Sequence, residues 1–160
     1  MIRRADPADA PRLVEMTLRF LRTTSYAAVF PDPDPVNVRT LVDYVLEHGV
    51  IFVADYPMYT RVIDGDVVEQ GDPYLVGMIA FTAPPHLFAN EAYAEEQGWW
   101  VEPEHRGGTT GPRLMQAAEA WARENGLKMI KMVAPEGSDV GKFYTKLGYR
   151  AVETAYVKAL

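Results

Sequence analysis

Arg106-Gly107-Gly108-Thr109-Thr110-Gly111 is the segment of this sequence with the clearest chemical content. It follows a strand-like run, Gln97 to Glu102, and feeds a helical pattern that opens near Gly111 with Pro112 at its start. The first N–H groups of a helix have no partners inside it. The helix dipole places partial positive charge at the same point. Glycines let a ligand approach the backbone closely, and Arg106 adds a full charge. Such a loop suits an anion, in particular a pyrophosphate. Two other phosphate loops do not fit. The nucleoside triphosphate loop needs Gly-Lys-Ser/Thr, and this loop has no lysine. The dinucleotide loop needs Gly-x-Gly-x-x-Gly after an early strand, whereas these glycines stand late in the chain. A glycine-rich turn that merely joins strand to helix is the alternative.

Other chemically able residues are sparse. The chain has no cysteine, which excludes disulfides, thiolate metal sites and a cysteine nucleophile. His48, His86 and His105 are scattered, without the paired spacing of a zinc helix, and no metal is expected. Gly137-Ser138-Asp139 lacks the second glycine of a nucleophile elbow and reads as a helix N-cap. Trp99 and Trp100 put one ring on each face of a strand. Glu95 and Glu96 precede that strand, and Glu95 shares a face with Gln97, Trp99 and Val101 if the strand is regular.

The elements that must position these residues are legible from pattern. The first strand is Met1 to Arg4, and Asp6-Pro7 starts a helix over 7–22. Three prolines in 31–35 make a stiff loop. A second helix over 35–48 carries Val38, Leu41, Val42 and Val45 on one face, and Gly49 ends it. Strands follow at 50–56 and 74–82, with a small hairpin between them turning at Asp64-Gly65. Residues 86–93 are undecided between loop and short helix. Leu114, Ala117 or Ala118, and Trp121 form the inner face of the helix after the glycine loop, which Asn125-Gly126 closes. A strand at 128–134, a helix at 138–147 and a final strand or bent pair at 149–159 complete the order. This is one mixed α/β layer structure without repeats or a long linker.

At 160 residues, 48% hydrophobic and 24% charged, the composition is that of a single folded domain. A net charge of -6 and the lack of a Lys/Arg cluster speak against nucleic acid. No apolar run approaches the ~20 residues that span a bilayer. The opening MIRRADPADA has no apolar core behind its arginines, so neither a membrane nor a secretion signal is expected and a cytoplasmic location is.

Arg106 to Gly111 resembles the Arg-x-x-Gly-x-Gly/Ala loop of the GNAT superfamily of N-acetyltransferases. Trp100-Val101-Glu102-Pro103-Glu104-His105 is similar to that family's strand end running through Val-x-Pro. Phe143-Tyr144-Thr145-Lys146-Leu147-Gly148-Tyr149 is similar to its second signature, and Arg106 and Tyr144 stand 38 residues apart. Thr109 stands where the family usually has its middle glycine. The resemblance implies a single N-acetyltransferase-like domain over 1–160, an α/β (α+β) fold with a mixed, mostly antiparallel central sheet flanked by about four helices. It implies acetyl-CoA as cosubstrate, held by Trp99, Trp100, Val101, Arg106, Gly107, Gly108, Thr109, Thr110, Gly111 and Pro112. In the family an irregularity in this strand frees an N–H for the thioester carbonyl, here near Trp99 to Val101. Tyr144 matches the family's general acid, and Glu95 matches the glutamate that some members use as base.

The implied reaction is acetyl transfer to a primary amine by direct attack on the thioester. The implied partners are a small-molecule or peptide acceptor, and the resemblance is compatible with a homodimer. The acceptor would meet Tyr26 to Pro35, Pro84 to Tyr93 and the C-terminal strand. A non-catalytic acyl-CoA-binding or regulatory domain on the same scaffold is the alternative, and a binding module without CoA a third reading.

Overall fold

A computed structural model describes the chain apart from residues 58, 65, 72, 136 and 160, and the backbone alone at 59–63 and 66–71. Strand β1 is Ile2–Arg4. Asp6 then caps a 3-10 turn, Pro7–Asp9: its side chain accepts from the Ala8 N–H while the Asp9 side chain accepts from the Asp6 N–H. The turn runs into α1, Ala10–Thr23. Helix α2, Pro35–His48, starts where the proline loop ends, with Asp34 accepting from the Val36 N–H. Strand β2 is Val50–Tyr56, β3 Tyr59–Ile63, β4 Asp66–Gly71 and β5 Tyr74–Thr82. The expected hairpin is present as β3–β4; its Gly65 lies outside the described residues. Strand β6 is Ala94–Val101, α3 Thr110–Glu124, β7 Ile130–Lys131 and α4 Val140–Lys146.

Five strands form one sheet in the order β1-β2-β5-β6-β7. The first three junctions are antiparallel and β6–β7 is parallel. The expected mixed, mostly antiparallel sheet with four α-helices is therefore the observed fold. Leu13 and Met16 of α1 and Val42 and Val45 of α2 pack on Ile51, Val53, Met78 and Trp100 on one face. Leu114, Met115, Ala118 and Trp121 of α3 pack on Val50, Ile79 and Phe81 on the other. Both faces of the central strands are covered, which is why VIFVADY and YLVGMIAFT read as unbroken apolar runs. Full burial of a side chain such as Leu13 or Phe81 stabilises the fold by about 1.5–3 kcal/mol.

Several expectations need correction. Residues 149–159 form no strand and are mostly exposed. Only Ile130–Lys131 of the 128–134 segment is strand. Strand β6 begins three residues before Gln97. Leu41 is half-exposed instead of lining the inner face of α2. Ser138 does not cap α4: its hydroxyl donates to the Pro135 carbonyl at 2.7 Å, and Asp139 takes the cap position. Residues 86–93 hold turns and an isolated bridge, Pro85 to Ala92, with no helix.

Candidate active site

The site is built on β6. Phe81 of β5 pairs with Glu96 and Ala80 with Gly98, so Gln97 is an extra residue, a β-bulge. The irregularity thus lies two residues before the expected Trp99–Val101. A bulge reverses the face alternation of a strand. Glu96 comes to lie with Phe81, Trp99 and Val101 on the α3 side. Glu95, paired with Thr82, falls on the α1–α2 side with Gly98, where a Cβ at Gly98 would meet the Phe20 ring of α1 at 3.4 Å. The regular-strand grouping of Glu95 with Trp99 and Val101 does not hold.

Beyond the bulge, β6 loses its outer neighbour. Strand β7 pairs only at Ala94–Ile130 and Glu95–Lys131. From Glu96 to Val101, among the described residues, no strand lies on that edge of β6. The unpaired edge offers backbone donors and acceptors to an extended amide-bearing chain.

The glycine loop closes one end of this edge. After β6 a 3-10 turn, Pro103–His105, leads into Arg106. Gly107 has φ of +78°, which favours glycine, and a Cβ at Gly107 or Gly108 would meet nothing within 4 Å. Thr109 occupies the cap position of α3 in helical conformation, without a side-chain capping bond. Thr110 and Gly111 form the first helical positions, and Pro112 follows them. Gly111 is held close to β6: a Cβ there would lie 3.0 Å from Cζ2 of Trp99. The Arg106 guanidinium lies over the Trp100 ring, 4.4 Å from its centre. The indole N–H groups of Trp99 and Trp100 are buried without hydrogen-bond partners among the described residues. Loop, arginine and open edge together fit a diphosphate that carries a long amide arm.

Tyr144 flanks the edge from α4. It is buried, its ring stacked on Trp99 at 6.0 Å between centroids and 5.6 Å from Tyr149. Its hydroxyl donates to the Val133 carbonyl at 3.3 Å. Burial, then the charge of Glu96, then Tyr149 raise its proton affinity well above that of an ordinary tyrosine. The Val133 N–H, on the same residue, donates to Glu96 Oε2 at 2.7 Å. Burial pushes the Glu96 carboxyl up to about 7, opposed only in part by that hydrogen bond. Glu95 is placed differently. It accepts from the Tyr93 hydroxyl at 2.9 Å and lies 3.5 Å from Lys131 Nζ.

Sequence reasoning missed two features here. Glu96 was named only beside Glu95, because a bulge has no sequence signal strong enough to reassign faces. The sequence pattern gives Glu102 only as a strand end. It is fully buried and bonded by Arg12 at 2.6 Å and Arg19 at 3.1 Å, both on α1. His105 stands beside the loop but turns to Tyr74, its Nε2 3.1 Å from that hydroxyl. Among the described residues no group of three or more His, Asp and Glu could hold a metal ion.

The model of the acetyltransferase (GNAT) family matches residues 52–149, more than half of the chain. The chain belongs to that family. Its expected class, an N-acetyltransferase, stands with this membership. Solved structures share the fold over the whole chain. A ribosomal-protein-alanine N-acetyltransferase from Brucella melitensis biovar Abortus 2308 is 18% identical with a TM-score of 0.65, covering 100% of this chain and 99% of that one. The aminoglycoside antibiotic 6'-N-acetyltransferase AAC(6')-IG from Acinetobacter haemolyticus is 13% identical at a TM-score of 0.68, covering 100% and 97%. AAC(6')-Iy, in complex with the bisubstrate analogue CoA-S-monomethyl-acetylneamine, is 17% identical at 0.67, again covering 100% and 97%. No curated protein matches the chain in sequence. No helix among the described residues is long and apolar enough to cross a membrane.

Proposed function

We propose that this single domain transfers an acetyl group from acetyl-CoA to a primary amine by direct attack of the amine on the thioester, with Tyr144 as general acid. The observation that carries this reading is the unpaired edge of β6 from Glu96 to Val101, which runs from Tyr144 to the glycine loop. When bound, acetyl-CoA supplies the activated acetyl group. Arg106 and the free N–H groups of Gly108 to Gly111 hold the diphosphate. The edge of β6, including Trp99 and Val101, aligns the amide arm and thereby fixes the position of the thioester. An amide freed at the bulge faces the charge that develops on the carbonyl oxygen. Tyr144 Oη gives its proton to the departing sulfur. Its stacking on Trp99 holds the hydroxyl at that edge.

The acceptor is a small-molecule or peptide amine. Tyr26, Phe30, Leu87 and Phe88 are exposed on two of the segments expected to meet it, Tyr26 to Pro35 and Pro84 to Tyr93. Asp34, on the first of these segments, caps α2 by accepting from the Val36 N–H. Glu95, tied to Tyr93 and Lys131, has less claim to the base role than its position in the motif suggests.

Calorimetry with acetyl-CoA, followed by thiol release with a panel of amines that includes an aminoglycoside and an alanine-initiated peptide, tests the reading. Binding and amine-dependent thiol release are expected. Binding without release under any amine would favour the non-catalytic acyl-CoA-binding domain. No binding would remove both.

A further inference from the structure

The α1–α2 side of β6 carries a crevice that no step above uses. It lies over the bulge, lined by Phe20 of α1, Leu41 and Val42 of α2, Met78 of β5, and Gln97 and Gly98 of β6. Its volume is about 20 Å³, room for one group the size of a water or a methyl. The polar side chains on its wall are engaged. Gln97 Nε2 donates to Thr82 Oγ1 at 2.9 Å, and the Thr17 hydroxyl donates to the Met78 sulfur at 3.8 Å. A water there would find few of the two to four polar partners it needs, so the space suits an apolar group.

Gly98 makes this space. It is buried and follows the bulge directly. A Cβ at Gly98 would stand 3.4 Å from the Phe20 ring, in ordinary contact, and would fill the crevice from the strand side. On the opposite wall Leu41 is half-exposed, so the crevice communicates with solvent. The other face of β6 is taken, because the Trp99 ring lies against Phe143 and Tyr144 there. An amine that attacks the thioester beside the bulge is left the α1–α2 side for its approach. The crevice at Gly98 is the space next to it on that side.

We propose that this crevice is the specificity subsite of the acceptor, receiving a methyl-sized apolar group on the carbon that bears the attacking amine. The inference rests on the acetyl-transfer reading and deepens it by naming the acceptor class, a primary amine with a small aliphatic branch at that carbon. A hydrogen in place of the branch leaves the lining without contacts on one side. A larger branch meets Val42 and Met78, which are buried, and Phe20, which packs on the same core. Gly98, Phe20 and Leu41 therefore determine which amines reach the thioester in line.

The test measures kcat/KM by thiol release with glycinamide, alaninamide, valinamide and leucinamide, which differ only in the branch. Alaninamide should exceed each of the other three about tenfold or more in wild type. Gly98→Ala should erase its advantage over glycinamide, because the protein's own methyl then occupies the crevice. Leu41→Ala should move the preference about tenfold toward valinamide or leucinamide. This second variant trims a half-exposed side chain and keeps the test open should Gly98→Ala fold poorly. Both variants should bind acetyl-CoA within about twofold of wild type. Equal kcat/KM across the four amides, or a preference that neither variant alters, overturns the proposal while leaving acetyl transfer intact. Thiol release with other amines but none of these four does the same. Failure of wild type to bind acetyl-CoA, or to release thiol with any amine, would instead overturn the acetyl-transfer reading and this one with it.

Discussion

The Arg106 guanidinium rests on the Trp100 ring at 4.4 Å while its Nε donates to the Val101 carbonyl at 2.7 Å. Stacking and the single backbone bond fix the side chain against the end of β6, just before the glycine loop. No hydrogen bond engages its terminal nitrogens among the described residues. Arg106→Ala should therefore weaken acetyl-CoA binding about tenfold or more. Arg106→Lys should restore only part, because lysine lacks the planar group that lies on the indole. Calorimetry at two salt concentrations checks both, and equal affinity in all three proteins would exclude this arginine from the anion site.

Two of the three glycines of the loop, Gly108 and Gly111, should respond differently to a methyl group. At Gly111 the new Cβ would sit 3.0 Å from Trp99, so Gly111→Ala should cost about 1–3 kcal/mol of stability. At Gly108 there is open space, so Gly108→Ala should leave stability within about 0.5 kcal/mol and act on acetyl-CoA affinity instead. Denaturant unfolding and calorimetry on the same preparations separate the two effects. A large stability loss at position 108 would contradict the open loop.

Removing the Tyr144 hydroxyl takes away one long hydrogen bond to Val133. Tyr144→Phe should lower stability by no more than about 1 kcal/mol. Its turnover should fall about 100-fold with acetyl-CoA affinity unchanged. Equal losses in turnover and affinity would assign the residue to packing alone.

Glu102 is buried under two arginines of α1. Glu102→Ala should destabilise the fold by about 3–5 kcal/mol, since it strands Arg12, which also donates to the Leu75 carbonyl. Arg19 is half-exposed, and Arg19→Ala should cost under about 1 kcal/mol. Thermal or denaturant unfolding gives both values, and a mild Glu102→Ala would mean that the network is dispensable.

Glu96 also sets a pH dependence of stability. Its folded-state proton affinity, about 7, exceeds the unfolded value. The folded form therefore holds a proton that the unfolded chain releases first, and stability falls as pH rises from about 4.5 to 7. Glu96→Gln should abolish that fall and make the protein about 1–3 kcal/mol more stable than wild type at pH 8. Parallel pH curves for the two proteins would show that this carboxyl titrates normally.

Much of this architecture is readable from the chain because the signals are local. Asp6-Pro7, Asp34-Pro35 and Asn125-Gly126 mark helix ends by chemistry confined to a few residues, and the structure puts ends there or within one turn. The loop from Arg106 and the Tyr144 signature are similarly local. What failed depends on neighbours. Alternation over 149–159 states which face a strand would bury, yet among the described residues this segment pairs with no strand. The same holds for 128–134, where β6 accepts only Ile130 and Lys131. The Glu102–Arg12 contact joins positions 90 residues apart, and nothing local announces it. The bulge at Gln97 is set by the register against β5, so the two adjacent glutamates could not be assigned to faces from sequence.

That single inserted position divides the strand into two phases. Upstream of Gln97 and downstream of it, odd-numbered residues address opposite halves of the molecule. With Gln97 removed, Glu96 would still oppose Phe81 and Glu95 would still oppose Thr82, now in an unbroken ladder. Were Gln97 instead paired with Phe81 in regular alternation, Glu95 would face α3 and Glu96 the first two helices, so the register at one position decides which carboxylate the α4 tyrosine meets.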